Sequence, residues 1–197
     1  IVFAFLVFVL ASLGVFGSLP SFEELENPEN NLATEVISLD GVTLGKYYRE
    51  NRTPVSFHEL PKNLIEALVA TEDERFYEHS GIDFRATARA VANLGKDGGG
   101  STITQQLAKL LFHGEGSRNI VKRVLQKVKE YVFAVQLETK YTKQEILTLY
   151  LNKYDFLNLA VGIRSASRIY FGREPIDLTV SESAMLVGML KNASYFN

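Results

Sequence analysis

The stretch ATEDERFYEHSGID occupies residues 70–83 and places four acidic residues beside two aromatic ones, before a break at Ser80-Gly81. Clustered carboxylates next to aromatic rings can raise one pKa through repulsion and desolvation, which suits a general base near neutral pH. Taken alone, however, an acidic helix end is more often a solvated surface. A single histidine such as His79 is likewise more often a hydrogen-bonded structural residue. The stretch therefore predicts an acidic helix end and offers a candidate catalytic cluster.

Helical patterns extend outward from this stretch. Pro61 suits a first helical turn, and apolar residues at helical spacing follow it. Further helices are predicted at residues 84–94, 102–112, 119–139 and 142–151. Thr142 with Glu145, and Thr179 with Glu182, have the T-x-x-E spacing of a capping box at a helix start. The sequence predicts a mainly α-helical domain.

The chain begins with an apolar run that contains no charged residue. We interpret residues 1–19 as a truncated transmembrane helix, because they approach the ~20 apolar residues that cross a bilayer. A signal-peptide core and a buried helix are the alternatives. Residues 20–56 are predicted to be a linker and a small β-hairpin that turns at Asp40-Gly41. Residues 57–197 form the main domain, whose C-terminal end also looks truncated.

The composition limits the classes of function. The chain has 197 residues, 46% hydrophobic and 22% charged, which is enough for the core of one domain. A formal net charge of −2 argues against a nucleic-acid partner, since such proteins are normally basic. The absence of cysteine excludes disulfides and thiolate metal sites.

A glycine-rich segment, DGGGSTITQQLAKLLF, covers residues 97–112. Backbone N–H groups in such a turn can approach an anion, and a helix N-terminus favours negative charge. The segment is not a P-loop, because GxxxxGK[ST] is absent. The neighbouring Gln105 and Gln106 suggest hydrogen bonds to a polar ligand such as a sugar. A flexible loop with an ordinary Ser or Thr cap is the alternative.

The segment VKRVLQKVKEYVFAVQL, residues 121–137, has two predicted faces at 100° per residue. The apolar face carries Val121, Val124, Leu125, Val128, Val132 and Val135. The opposite face, an arc of roughly 140°, carries Lys122, Arg123, Gln126, Lys127 and Glu130. Such a cationic stripe is normally solvated or lies on a membrane surface, but beside a glycosyl donor it can neutralise a pyrophosphate leaving group.

Together these motifs resemble the glycosyltransferase domain of class A penicillin-binding proteins and of monofunctional peptidoglycan glycosyltransferases. The pattern E-D-x-x-F-x-x-H-x-G-x-D is matched at Glu72, Asp73, Phe76, His79, Gly81 and Asp83. The remaining matches are G-G-S-T-I-T-Q-Q-L-x-K at residues 99–109, K-x-E-I-L at 143–147, Y-L-N at 150–152 and Y-F-G at 170–172. The resemblance runs from about residue 57 to the end. It implies a lysozyme-like α-helical fold behind an N-terminal transmembrane helix and a small hairpin.

The sequence departs from the family pattern in two places that concern the site and its surroundings. Gln126 stands where the family motif R-K-x-x-E has its arginine, and Arg123, one turn earlier, is the candidate to supply that charge. Residues 157–159 read Leu-Asn-Leu in place of a glycine-containing loop.

The resemblance implies an enzyme of cell-wall biogenesis and cell shape that polymerises lipid II into glycan strands. Transfer proceeds with inversion and releases undecaprenyl pyrophosphate. The implied catalytic residues are Glu72, as general base, and Glu130. The implied substrate contacts are Ser101, Thr102, Gln105, Gln106, Lys109, Lys122, Arg123 and Lys127. A divalent cation, Mg²⁺ or Mn²⁺, often assists in this family, but no ligand motif in the sequence locates one.

The resemblance places the protein in the bacterial cytoplasmic (inner) membrane, as a single-pass protein with its catalytic domain on the periplasmic side. Its partners would be lipid II, the growing lipid-linked glycan and the membrane, and a transpeptidase domain is expected after residue 197. Two alternatives stay open. A lytic transglycosylase or lysozyme would cleave preformed glycan without a lipid substrate. A non-catalytic domain that binds lipid-linked sugars would keep its function after Glu72→Gln.

Overall fold

The structure, a computed structural model, describes residues 34–40, 43–47, 54–92, 100–111 and 119–192. The transmembrane helix predicted at residues 1–19 lies outside these ranges. Within them, no helix combines the length and the apolar character needed to traverse a bilayer.

The described elements are mostly helical, as predicted. Two strands come first, β1 (Thr34–Ile37) and β2 (Thr43–Tyr47), which pair antiparallel with Thr34 opposite Tyr47. Seven α-helices then follow within the described ranges: α1 (Lys62–Glu72), α2 (Phe84–Ala92), α3 (Ile103–Leu111), α4 (Ile120–Lys140), α5 (Lys143–Lys153), α6 (Ile163–Phe171) and α7 (Val180–Asn192). Short 3₁₀ turns lie at Phe57–Glu59 and Pro175–Asp177.

Both predicted capping boxes are confirmed. At the start of α5, the Glu145 carboxylate accepts hydrogen bonds from the Thr142 backbone N–H at 2.7 Å and from its hydroxyl at 2.8 Å. At the start of α7, Glu182 accepts the same pair of bonds from Thr179, both at 2.8 Å. Donation by the threonine N–H and hydroxyl lowers the pKa of each glutamate, because it stabilises the charged carboxylate.

Helix α6 is absent from the sequence-based predictions. Its N-cap is Gly162, with a φ of 82° and no side-chain capping bond, so the usual Ser, Thr, Asp or Asn signal is missing. Its C-cap is Gly172, in the left-handed conformation with a φ of 66°. A glycine directly after a helix is a common stop signal, and the glycine of the Tyr-Phe-Gly sequence is the stop signal of α6.

The chain divides into two compact units. The described residues between 66 and 150 form the first, which contains all ten predicted site residues. Its largest fully buried side chains are Leu68, Phe76, Ile103, Leu107, Phe133, Leu137, Ile146, Leu147 and Tyr150. In this unit α3 packs against α4. The second unit contains the described residues up to 65 and from 151 onward, and it buries Leu64, Leu151, Phe156, Ile163, Leu186 and Met189 among others.

The Leu-Asn-Leu departure at residues 157–159 forms a left-handed turn. Leu157, Asn158 and Leu159 have φ values of 66°, 50° and 64°. The turn is closed by the Ala160 N–H, which donates to the Leu157 carbonyl at 2.8 Å, and by the Asp155 carboxylate, which accepts from the Leu157 N–H at 2.9 Å. The backbone thus has the conformation that glycine adopts without cost, although leucines occupy it.

Leu159→Gly is expected to raise the free energy of unfolding by about 1 kcal/mol, or about 3 °C in Tm. Glycine removes the steric cost of the positive φ, and little burial is lost because Leu159 is 73% exposed. Thermal or denaturant unfolding measures the change. Leu159→Ala is the matched control, since it removes the side chain beyond Cβ but keeps the Cβ that causes the steric cost. A glycine variant no more stable than the alanine variant would contradict the prediction.

Candidate active site

Glu72, the last residue of α1, has a half-buried carboxylate. Its Oε2 accepts a hydrogen bond from Gln106 Nε2, on α3, at 2.8 Å. The Tyr150 hydroxyl in turn donates to Gln106 Oε1 at 2.9 Å. Among the residues that the structure describes, none donates a hydrogen bond to Glu72 Oε1. Glu72 is therefore held through one oxygen, and the other has no described hydrogen-bond donor.

Asp73 anchors the chain directly after Glu72. It is 7% exposed, and it accepts hydrogen bonds from His79 Nε2 at 3.0 Å and from the Ile103 backbone N–H at 3.0 Å. A carboxylate can only accept, so Nε2 of the imidazole carries the hydrogen. His79 is thus a hydrogen-bonded structural residue, and Asp73 ties the end of α1 to the start of α3.

Gly81 brings the loop after α1 against both α3 and α4. Its φ is 89°, and a Cβ on it would lie 2.8 Å from the backbone carbonyl of Ala134. Its own carbonyl accepts from Thr102 Oγ1 at 2.8 Å and from Gln105 Nε2 at 3.0 Å. Thr102 and Gln105 are both buried. The side chains of these two predicted substrate contacts therefore donate to the protein backbone.

Two of the first three backbone N–H groups of α3 already have side-chain acceptors. Asp73 accepts from the first, that of Ile103, and Thr102 Oγ1 accepts from the third, that of Gln105, at 3.1 Å. The negative charge that a helix N-terminus favours is here the Asp73 carboxylate. A backbone cradle for a substrate anion at this helix start is accordingly not favoured.

Asp83 closes the loop at the start of α2. It accepts from the Ala86 backbone N–H at 2.9 Å and from Arg75 Nε at 2.9 Å, and the Arg75 guanidinium also forms an ion pair with it at 2.7 Å. Burial acts to raise the pKa of Asp83, but the Ala86 N–H and the Arg75 charge outweigh burial and hold the pKa below its ordinary value.

Lys143, at the start of α5, contacts the same loop. Its Nζ donates to the His79 carbonyl at 2.6 Å, pairs with Glu138 at 2.8 Å, and lies 4.3 Å from the centroid of the Phe76 ring. Phe76 is fully buried. The acidic motif is thus mainly a scaffold that fixes the position of Glu72.

A second polar cluster joins Ser101 to α4. Lys127 Nζ lies 2.8 Å from Ser101 Oγ and 3.0 Å from Glu130 Oε2. Glu130 is 5% exposed, whereas the Lys127 side chain is 37% exposed. The buried carboxylate therefore holds a partly exposed ammonium group in place, next to a hydroxyl from the glycine-rich segment.

The prediction of two faces on α4 is wrong for its first turns. Val121 and Val124, assigned to the apolar face, are 66% and 58% exposed, whereas Glu130, on the polar face, is buried. The start of α4 is exposed on both sides, so Lys122 and Arg123 lie on it as exposed cations. Lys109 is also exposed, on α3.

A cleft of about 480 Å³ borders the loop that carries the acidic motif. Its lining includes Arg75, His79, Asp83, Arg85 and Val135. None of the ten predicted site residues lines it, so this cleft does not include the hydrogen-bonded cluster around Glu72. Across the described part of the chain, no group of three His, Cys, Asp or Glu residues is placed so that it could hold a metal ion.

Sequence patterns assigned no individual role to Asp73 or Tyr150. Both belong to motifs, E-D and Y-L-N, and this membership is the signal that could have singled them out. Their contacts with Ile103 and Gln106 join segments far apart in the chain, which no local pattern reveals.

Comparisons with known proteins identify the family of this chain. A family model described as "Transglycosylase" matches residues 40–197. Penicillin-binding protein 1F of Bacillus subtilis (strain 168) is 43% identical over 169 residues, which are 84% of this chain and 23% of that protein. Penicillin-binding protein 1A of Pseudomonas aeruginosa is 39% identical over 184 residues, 91% of this chain and 22% of that protein. The Vibrio cholerae protein of the same name is 37% identical over 208 residues, 100% of this chain and 25% of that protein. The chain thus spans about a quarter of the length of these relatives.

Proposed function

Because this chain belongs to the transglycosylase family, we propose that it polymerises lipid II into the glycan strands of the bacterial cell wall and releases undecaprenyl pyrophosphate. The fold proposed with this function is lysozyme-like. The proposed location is the cytoplasmic membrane, with one transmembrane helix and the catalytic domain on the periplasmic side. The similarity to penicillin-binding proteins supports a transpeptidase domain in the whole protein.

The environment of Glu72 carries the proposal. Gln106 holds one carboxylate oxygen, Oε2, at the rigid end of α1. The other oxygen takes the proton of the acceptor sugar hydroxyl, and the hydroxyl oxygen attacks the anomeric carbon of the donor. The bond from that carbon to the pyrophosphate oxygen breaks, and the pyrophosphate leaves with the electron pair. Attack opposite to the leaving group inverts the anomeric configuration.

Charge neutralisation takes the place of an acid at the leaving group. A pyrophosphate is a stable anion that needs less protonation than an alkoxide, so ammonium and guanidinium groups can stabilise its departure. Lys127 fits this role because Ser101 and Glu130 hold its ammonium group in place. Glu130 acts through Lys127. The exposed cations Lys109, Lys122 and Arg123 add positive charge along α3 and α4.

Three of the polar residues near the base form hydrogen bonds to other groups of the protein. Thr102 and Gln105 support the Gly81 carbonyl, and Gln106 orients Glu72. We therefore assign to them the positioning of the base and of the loop that carries it. Ser101 contacts Lys127, and we assign it with Lys127 to the donor side of the site.

The proposed function is tested by incubating the purified protein, in detergent, with labelled lipid II and a titration of Mg²⁺ or Mn²⁺. The expected result is a ladder of glycan products on a gel. Preformed glycan without lipid is the parallel substrate. Cleavage of that glycan with no ladder from lipid II would show a lytic enzyme instead. Binding of lipid II with no product would show a non-catalytic domain.

Lys127→Met is expected to lower kcat/KM for polymerisation by about a hundredfold, because a preorganised charge at the leaving group is lost. Initial rates with labelled lipid II measure the change. Lys129→Met, two residues along α4, is the control and is expected to keep the wild-type rate. Lys127→Met alone leaves the buried Glu130 carboxylate without its partner, which is expected to lower the free energy of unfolding. The double variant Lys127→Met/Glu130→Gln removes that buried charge, so it is expected to be more stable than Lys127→Met while its activity stays low. Recovery of activity in the double variant would contradict the assignment.

A further inference from the structure

We propose that the Tyr150 hydroxyl is a positioning group for the transfer reaction, because it fixes the side-chain amide of Gln106 in the orientation that donates to Glu72. The inference rests on the proposed function, since it takes Glu72 as the general base. It concerns a residue that does not itself contact the reacting atoms.

The geometry is a chain of two hydrogen bonds across three helices. Tyr150 lies on α5 and is fully buried. Its hydroxyl is 2.9 Å from Gln106 Oε1 on α3, and Gln106 Nε2 is 2.8 Å from Glu72 Oε2 at the end of α1. The two ends of one amide are thus held by two different helices.

The direction of each bond follows from the chemistry of the groups. An ionised carboxylate only accepts hydrogen bonds, so Gln106 must present its NH₂ to Glu72 and its oxygen to Tyr150. The phenol hydrogen then points at that oxygen. In the flipped amide orientation, the oxygen would lie against the Glu72 carboxylate and the NH₂ would lie against the phenol O–H. The phenol oxygen could itself accept from that NH₂, so it is the Glu72 carboxylate that excludes the flip, and the Tyr150 O–H stabilises the orientation that remains.

The consequence for the reaction is a fixed carboxylate plane. With Gln106 locked, Oε2 of Glu72 stays engaged and Oε1 is presented to the sugar hydroxyl. Without the phenol hydrogen bond, Gln106 samples other orientations and the carboxylate is less often aligned. Alignment of a reacting group affects the chemical step more than substrate binding. The effect therefore appears in kcat with little change in KM.

Tyr150→Phe removes the hydroxyl and keeps the ring. We expect kcat for polymerisation of labelled lipid II to fall about fivefold to tenfold, with KM within about twofold, as for the loss of one buried hydrogen bond. Tyr154→Phe is the matched control, because it removes a hydroxyl that donates to the Leu190 carbonyl at 2.8 Å. Its kcat is expected to stay at the wild-type value. An unchanged kcat in Tyr150→Phe overturns the inference.

A double-mutant cycle with Gln106→Met separates positioning from a general structural role. In the Gln106→Met background, Tyr150→Phe is expected to cause no further loss of kcat, because the amide through which it acts is gone. The same fold-loss in both backgrounds overturns the inference. So does a fall in Tm of Tyr150→Phe well beyond that of Tyr154→Phe, since the rate would then follow stability. A wild-type protein that makes no glycan overturns the proposed function itself, whereas an active wild type with normal Tyr150→Phe kinetics overturns only this inference.

Discussion

Glu72→Gln is expected to lower the rate of glycan polymerisation by about a thousandfold, since a positioned general base contributes about 10²–10⁴ to a rate. The amide has the shape of the carboxylate but cannot take the proton of the sugar hydroxyl. Its oxygen can still accept the hydrogen bond from Gln106 Nε2. Stability should accordingly change little, and Tm is expected to stay within a few degrees of the wild-type value.

The matched control is Glu74→Gln, which neutralises an exposed carboxylate two residues further along the chain. It is expected to retain wild-type polymerisation, because Glu74 lies on the solvated side of the loop. Glycan ladders of normal intensity from Glu72→Gln would remove the general base from the mechanism. A loss shared equally by both variants would point to net charge as the cause.

Asp73→Ala is expected to lower the free energy of unfolding by about 3–5 kcal/mol, or about 10 °C in Tm. The substitution leaves two buried donors, the Ile103 N–H and His79 Nε2, without their acceptor. It also removes the negative charge at the start of α3. Polymerisation is expected to be lost with the fold, so unfolding by heat or denaturant is the decisive measurement.

Two further variants sharpen the Asp73 test. Asp73→Asn keeps one oxygen acceptor and is expected to fall between the wild type and Asp73→Ala. Glu78→Ala removes an exposed carboxylate from the same loop and is expected to change stability by less than about 0.5 kcal/mol. If Asp73→Ala were as stable as Glu78→Ala, the shared carboxylate would not be what joins α1 to α3.

Helices were predictable where capping residues close to each other in the sequence mark their ends. Thr142-Glu145 and Thr179-Glu182 are capping boxes whose partners lie three residues apart. The T-x-x-E spacing alone was therefore enough to locate each of these two helix starts. Helix α6 begins at Ile163, and its N-cap, Gly162, has no side chain to cap it, so the sequence carries no such signal there. The left-handed backbone at residues 157–159 could not be inferred from Leu-Asn-Leu, because leucine disfavours that conformation.

The identities of the site residues were accessible from sequence, but their partners were not. The motif supplied Glu72, yet Gln106 reaches it from 34 positions away, and Lys127 reaches Ser101 across 26. Periodicity placed Glu130 on a polar face, where an exposed side chain is the usual outcome. The fold instead buries it beneath Lys127, because a paired carboxylate tolerates burial.

The occupied backbone amides at the start of α3 bear on how the proposed site would bind a phosphate. Because Asp73 and Thr102 accept from two of them, the proposed function assigns anionic substrate groups to ammonium and guanidinium groups on long side chains. A lysine ammonium is a point charge on a flexible stem, so it can follow a displaced phosphate, which a rigid loop of backbone amides cannot do. Under the proposed function, in which one lipid pyrophosphate is released and the next is admitted, contacts that tolerate movement of the ligand would be an advantage.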